Sequence, residues 1–449
     1  MIEKCPRICA GILIDIFCAL CKNTVKTKNM GYGMKDFKAI ANHVFEYIKT
    51  VCKWLVIAGV TGLIGGAVGA LFHNGVDYAT ELRTLCPWLL YLLPVAGLVI
   101  TALYHLMHTH GIGTNAVIDA VHQGYHIPIR LIPAIFLGTI LTHLCGGSAG
   151  REGAALQIGG DLGEHIARAF RLDDKDTRLG TLCGMSALFS ALFGTPLTAT
   201  FFSLEVISVG VLYYAGFIPC IVSALVAYWL SLRMGVSPMR FAVSVPAVDA
   251  MVLARTALLA VLTALVSILF CEALHRTEHL AEKFVENRYL RVFVGGCIVI
   301  ALTFVIGCRD YNGAGMNIIN AAIAGEAKPL AFFWKIVFTA VTLAFGFKGG
   351  EVVPTLFIGA TFGCTVGALL GLPAPFGAAL GIVCLFCSMV NCPIASILLS
   401  IELFGAEGIL CFALGCAVSY VLSGYRGLYS SQTILYSKLR AEFINVHTK

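Results

Sequence analysis

Eleven long apolar stretches organise this chain, at about 54–72, 87–107, 128–145, 179–193, 212–232, 252–273, 292–307, 330–346, 355–371, 376–390 and 408–422. A helix needs about 20 such residues to cross hydrocarbon, so the pattern calls for a polytopic, all-α integral membrane protein. Composition agrees. Hydrophobic residues make up 58% and charged residues 12% of 449 positions, which leaves too little polar surface to cover a soluble core and excludes a disordered chain. Several stretches are short or cut by Gly or Pro. With 47 glycines, they read as closely packed helices, some of them broken inside the membrane.

Charge orients the chain. Residues 1–53 hold nine Lys/Arg and four acids, which marks this end as cytoplasmic by the positive-inside rule. The charged segments Arg168–Arg178 and Arg276–Arg291, and the tail from Arg426, are expected on the same side. Residues 73–88, with Arg83 as their single basic residue, are expected outside. The expected layout is a cytoplasmic segment 1–50 with an amphipathic helix over 36–50, a first membrane repeat 51–240, a second 241–425, and a cytoplasmic C-terminal helix or tail 426–449. Loop 233–250 is the midpoint linker. The run Ile8–Leu20 has the look of a signal peptide, but Asp15 interrupts it and no clear cleavage site follows; a start at Met30 or Met34 is another account. No basic groove with interleaved aromatics suggests nucleic acid. Most of the 18 cysteines lie in apolar segments. The pairs Cys18–Cys21 and Cys384–Cys387 lack a partner pair at zinc spacing. The histidines at 105, 108 and 110 read as interfacial, and no cofactor motif is present.

The halves repeat. Gly111-Ile112-Gly113-Thr114-Asn115 resembles Gly313-Ala314-Gly315-Met316-Asn317, Gly150–Gly159 matches Gly350–Gly359, and Pro196 with Glu205 matches Pro393 with Glu402. The three offsets are 202, 200 and 197 and run in one order. Duplicated, glycine-interrupted segments are the mark of a transporter built from structural repeats, inverted if the midpoint linker lies outside.

Two loops carry the chemistry. Gly146-Gly147-Ser148-Ala149-Gly150-Arg151-Glu152-Gly153 leads into an apolar helix and reads as a half-helix starting inside the membrane. Its free N–H groups and dipole favour an anion. Gly349-Gly350-Glu351-Val352-Val353-Pro354 would bring a second such terminus to the same point. Glu152 and Glu351 are acids in an apolar setting, where acids are rare and usually functional. A carboxylate that occupies an anion site and leaves it protonated would exchange anions for protons. The plainer alternative for Glu152 is a salt bridge to Arg151. Glu205 and Glu402 read as structural, hydrogen-bonded acids.

These motifs resemble the CLC family of chloride channels and anion/proton antiporters: Gly111-Ile112-Gly113, Gly150-Arg151-Glu152-Gly153, Gly349-Gly350 with Pro354, and Leu428-Tyr429-Ser430, in order over roughly residues 50–440. The resemblance implies a fold of two inverted repeats with broken helices, a homodimer with one anion pathway per subunit, no cofactor, and a small inorganic anion, fluoride or chloride, exchanged with protons across the plasma or inner membrane. Both termini would be cytoplasmic, with no nucleotide-sensing domain after residue 440. It makes Glu152 the gating, proton-carrying glutamate, with Glu351 beside it. The anion would be bound by Gly111, Ile112, Gly113, Thr114, Asn115, Gly150, Arg151, Gly153, Gly350, Val352, Val353 and Tyr429. The backbone amides of Glu351 and Val352 would contact it directly.

The departures resemble the fluoride/proton antiporter branch. Ile112 stands where the family has an anion-coordinating serine, and Val206 where it has an inner glutamate. Glu351 is kept, while Val353 replaces that branch's threonine. A chloride channel or a chloride/proton exchanger are the alternatives. A distant one is an intramembrane serine hydrolase, since Gly146–Gly150 fits Gly-x-Ser-x-Gly with His143 nearby. A nucleophile elbow needs a strand–turn–helix context that this chain does not offer.

Overall fold

Helix formation follows the apolar stretches, and the breaks follow Gly and Pro. The computed structural model describes residues 34–448, with side chains from 42 onward. The Ile8–Leu20 run, the Cys18–Cys21 pair and Met30 lie outside the described residues. The chain divides into two compact units, one ending at Lys53 and one beginning at Trp54. The expected separate helix over 36–50 is not separate. One helix, α1, runs Met34–Leu85, because no Gly or Pro interrupts residues 35–58. Residues 73–85 belong to the same helix.

The remaining helices of the first half are α2 (Leu93–Leu106), α3 (Thr114–Gln123), α4 (Leu131–Leu144), α5 (Glu152–Ala169), α6 (Asp174–Phe193), α7 (Pro196–Glu205) and α8 (Phe217–Arg233). Those of the second are α9 (Ala250–Phe284), α10 (Arg288–Ile306), α11 (Met316–Ile323), α12 (Ala331–Ala344), α13 (Val352–Leu369), α14 (Ala374–Val390), α15 (Pro393–Phe404) and α16 (Ile409–Leu422). The extended linker between α8 and α9 falls where the sequence places it. Among the described residues, six helices are long and apolar enough to cross a membrane.

The two sets correspond one to one, and equivalent elements meet across a pseudo-two-fold axis. Gly150 and Gly350 exchange two backbone hydrogen bonds of 2.7 Å in an antiparallel bridge. Glu205, at the end of α7, accepts from the Ile394 and Ala395 amides at the start of α15 (3.3 and 3.0 Å). Glu402 on α15 accepts from Leu197 and Thr198 at the start of α7 (2.9 Å each). Each acid satisfies the orphan N–H groups of its counterpart's helix. The acids are therefore hydrogen-bonded, as the sequence suggests.

Small residues set the close packing within each half. α5 and α6 touch through Gly159, Gly163, Gly180 and Gly184; α13 and α14 touch through Gly359, Gly363, Gly377 and Gly381. A Cβ at any of these would strike backbone of the facing helix or a closely packed neighbour. Backbones approach this closely only where side chains are absent.

Of the helix or tail expected from residue 426, the structure shows a tail with strands. Residues 426–448 form no helix. Strands β2 (Thr433–Tyr436) and β3 (Phe443–His447) pair antiparallel, and β2 pairs in parallel with β1 (Ser208–Val209). The tail's β-branched and aromatic alternation, Thr433-Ile434-Leu435-Tyr436, favours strand over helix. Gln432 fastens this segment through 2.9 Å bonds to the carbonyls of Val206 and Val390, so the preceding turn carries Tyr429 into the protein.

Candidate functional site

Paired glycines place two helix N-termini side by side. A Cβ on Gly350 would collide with the Gly153 amide nitrogen, and one on Gly150 would meet the Gly350 carbonyl at 3.1 Å. With glycine at both positions the loops touch, and α5 and α13 begin from adjacent points. Neither helix has a side-chain cap on its first turn. Their orphan amides and dipoles therefore make a ready anion site.

Glu152 fills that site. Its side chain is buried, and Oε2 accepts from the amide of Arg151 at 2.9 Å and from that of Val353 at 3.3 Å. The carboxylate is thus held by donors from both repeats. The amide donated by the second repeat is that of Val353, not of Glu351 or Val352. Burying a carboxylate costs several kcal/mol, and hydrogen bonds to a charged group return about 1.5–3 kcal/mol each. The Arg151 guanidinium lies 4.0 Å from Glu152 but 2.5 Å from Asp77 on α1, which also pairs with His73 at 2.9 Å. Arg151 is thus committed to Asp77, and the simple Arg151–Glu152 salt bridge is not what holds the glutamate.

Cavities lie on either side of this point. One of about 670 Å³ is lined by Arg83, Arg151, Arg309, Asp77, Met316, Asn317 and Val353. Another, of about 350 Å³, is lined by Ile112, Gly113, Thr114, Asn115, Gln157, Lys348, Glu351 and Tyr429. A third, of about 430 Å³, shares Ile112, Gly113, Asn115 and Lys348 with the second and adds Gly111, His110, Arg288 and Arg291. The Tyr429 hydroxyl, Glu351 Oε2 and Gln157 Oε1 are buried and have no hydrogen-bond partner among the described residues. Tyr429 is 2% exposed. Unmade hydrogen bonds on buried groups are costly, and here they cluster at the cavity an ion would occupy.

The candidates sort by place. Gly150, Arg151, Glu152, Gly153, Gly350, Glu351, Val352 and Val353 come together at the crossing of the loops. Gly111–Asn115 and Tyr429 line the 350 and 430 Å³ cavities. Thr114 accepts from Gln157 (3.1 Å) and lies 3.5 Å from the Gly153 carbonyl. The Asn115 side-chain oxygen is engaged by the Ser431 amide at 3.2 Å. Sequence reasoning missed Lys348, Gln157 and Asp77. Lys348 directly precedes the glycine pair, and its ammonium lies 4.5 Å from the Tyr104 ring centroid. Gln157 follows Glu152 by five residues on α5, a spacing that puts the two on different faces, so no spacing signal pointed to it. Asp77, remote in sequence, gave none.

Ser148 bonds Thr339 at 3.1 Å, while His143 Nε2 contacts the Gly150 carbonyl at 3.2 Å. The two are not joined as a nucleophile and its base. Met316 and Asn317, at the repeat-related turn, are the first residues of α11, whose N-cap is Gly315 at φ 80°.

Half-helices that meet mid-protein, repeated about a pseudo-two-fold, define a membrane transport protein. The sequence model described as voltage gated chloride channel matches residues 96–424. The chain therefore belongs to the CLC family and is an integral, multi-pass membrane protein. It is 36% identical over 403 residues to a chloride/fluoride channel protein of Pseudomonas syringae pv. tomato, covering 88% of this chain and 89% of that one. It is 27% identical to the H(+)/Cl(-) exchange transporter ClcA of Vibrio cholerae, covering 91% and 95%. A crystal structure of a CLC-type fluoride/proton antiporter superposes with a TM-score of 0.82 at 29% identity, over 85% of this chain and 98% of that one. The structure of a slow cyanobacterial Cl-/H+ antiporter, at 21% identity and TM-score 0.72, shares the fold.

Proposed function

We propose that this protein exchanges a small halide for protons, with fluoride as the exported anion and Glu152 as the group that alternates between blocking the pathway and carrying the proton. One observation carries the reading: the Glu152 carboxylate sits between two cavities, on amides donated by both repeats. An anion of like charge competes for those N–H groups. When it arrives, the carboxylate must leave, and protonation removes the charge that bound it. Ion and proton thereby pass through one place in opposite directions. Tyr429 supplies a hydroxyl donor to the ion in the inner cavity, and Lys348 supplies positive potential. Glu351 stands at the same cavity as a second acid.

Fluoride is favoured by the likeness to the fluoride/proton antiporter and the chloride/fluoride channel protein, and by Ile112 and Val206 standing where the family has serine and glutamate. Fluoride is strongly hydrated, so donors must replace its water. Amides at two helix starts provide them. We further propose a homodimer with one pathway per subunit, and both termini in the cytoplasm.

The second reading is a channel. It has its own support in the channel name carried by the relative at 36% identity. In that case Glu152 only gates. Liposomes holding the purified protein, given outward fluoride, chloride or nitrate gradients while internal pH is recorded, separate the readings. The exchanger draws protons inward as the anion leaves and acidifies the lumen, most strongly with fluoride. Anion flux with no coupled pH change selects the channel.

A further inference from the structure

We infer that a polar stripe on α5, from His126 and His165 through Asp161 to Gln157, is the proton inlet that feeds Glu152 from the cytoplasmic side; this rests on the exchange reading above. Gln157, Asp161 and His165 follow one another at four-residue spacing, so they lie along one helix face. At the inner end, Gln157 lines the 350 Å³ cavity that also holds Glu351 and Tyr429. At the outer end, the rings of His165 and His126 stand 5.3 Å apart. Exposure falls steadily inward: the side chain of His126 is 57% exposed, that of His165 is 24%, and that of Asp161 is 0%. The stripe thus joins solvent to the cavity beneath the gate.

Asp161 is the informative member. An acid is buried in a helix of an apolar protein, yet neither carboxylate oxygen has a hydrogen-bond partner among the described residues. Nδ1 of His165 lies 2.7 Å from Oδ1, but its well-directed bond goes to the Asp161 carbonyl at 2.9 Å. A structural acid would be tied down, as Glu205 and Glu402 are. Glu164, one position before His165, is tied down: it binds His126 (2.7 Å), the Ile127 amide (3.0 Å) and Arg168 (2.8 Å). The other charged groups nearby, Asp174 and Arg178 on α6, border the Glu164–Arg168 side. Asp161 is left with the His165 ring against one oxygen and no partner on the other, and Glu164 and His126 are the further titratable groups that face it.

A proton taken up by His126 or His165 passes to the Asp161 carboxylate, leaving a neutral imidazole. It then moves one helical turn, about 5.4 Å, through water at the Gln157 end of the cavity. Glu152 accepts it when its carboxylate swings off the amides, and the anion leaves by the vacated site. Val206 is apolar and buried, and Glu205 is consumed by the α15 amides.

The test uses the full chain in liposomes, with fluoride and proton fluxes recorded together for wild type, Asp161→Asn, His165→Gln and His126→Gln. A relay predicts that Asp161→Asn and His165→Gln lower proton flux per anion by about tenfold or more, while anion flux persists. Asp161→Glu restores coupling, and His126→Gln shifts the pH profile of proton uptake. Variants that keep the wild-type proton-to-anion ratio overturn the inference and leave the exchange reading standing. A wild type that moves no protons overturns both. Should Asp161→Asn lose all transport, unchanged coupling in His165→Gln and His126→Gln still overturns the inlet.

Discussion

The starts of α5 and α13 share a backbone and differ in what their acids do. Each follows a glycine that bonds its counterpart, neither N-cap residue supplies a side-chain cap, and Gly150 and Gly350 trade identical bonds. Yet Glu152 lies one residue inside its helix and folds onto the amides of both loops, whereas Glu351 is the N-cap residue and turns an unpartnered oxygen to the inner cavity. A one-residue difference in placement separates a group that plugs the crossing point from one that waits below it. Backbone symmetry brings the two helix starts together; side-chain symmetry is broken there.

The comparison breaks most completely if the loops are pushed apart. Gly350→Ala would drive a Cβ into the Gly153 amide, and overpacking of this kind costs about 1–3 kcal/mol. A lowered thermal transition and lost transport in detergent-purified protein are expected; wild-type stability would mean the loops do not touch as described. Next, Glu351→Gln is expected to cut proton flux by about tenfold, ~1.4 kcal/mol, and less than the same change at Glu152. Equal losses would erase the distinction between the two acids. Tyr429→Phe removes one donor from the inner cavity, with anion affinity down about fivefold, near 1 kcal/mol, by titration calorimetry. Smallest, Glu205→Gln and Glu402→Gln should each lower stability by about 0.5–1 kcal/mol, Glu402→Gln by somewhat more, because Glu402 also accepts from the Thr198 hydroxyl at 2.6 Å. A large difference between them would count against the pseudo-two-fold at that end.

Much of this was legible because polar and small residues stand out against an apolar background. The glycine loops, the acids within them and the collinear repeat are visible at once, and they place the ion site. The rest depended on contacts between distant segments. Nothing in the sequence links Asp77 to Arg151, or chooses the Val353 amide over its neighbours. The amphipathic pattern over 36–50 suggested a stop that no Gly or Pro supplies, so α1 runs through. The tail suggested helix by position alone, while its alternation and the docking of Gln432 favour strands. The stripe Gln157, Asp161, His165 was present as a four-residue spacing, but only burial distinguishes it from an ordinary solvated face.

The most direct test of the account is the proton-to-fluoride ratio of Glu152→Gln measured beside wild type in the same liposomes. A glutamine keeps the shape and the amide contacts but cannot carry a proton. The account predicts a fixed ratio for wild type, and for the variant anion movement with no coupled proton flux. A variant that still drives protons with the fluoride gradient at the wild-type ratio would contradict it.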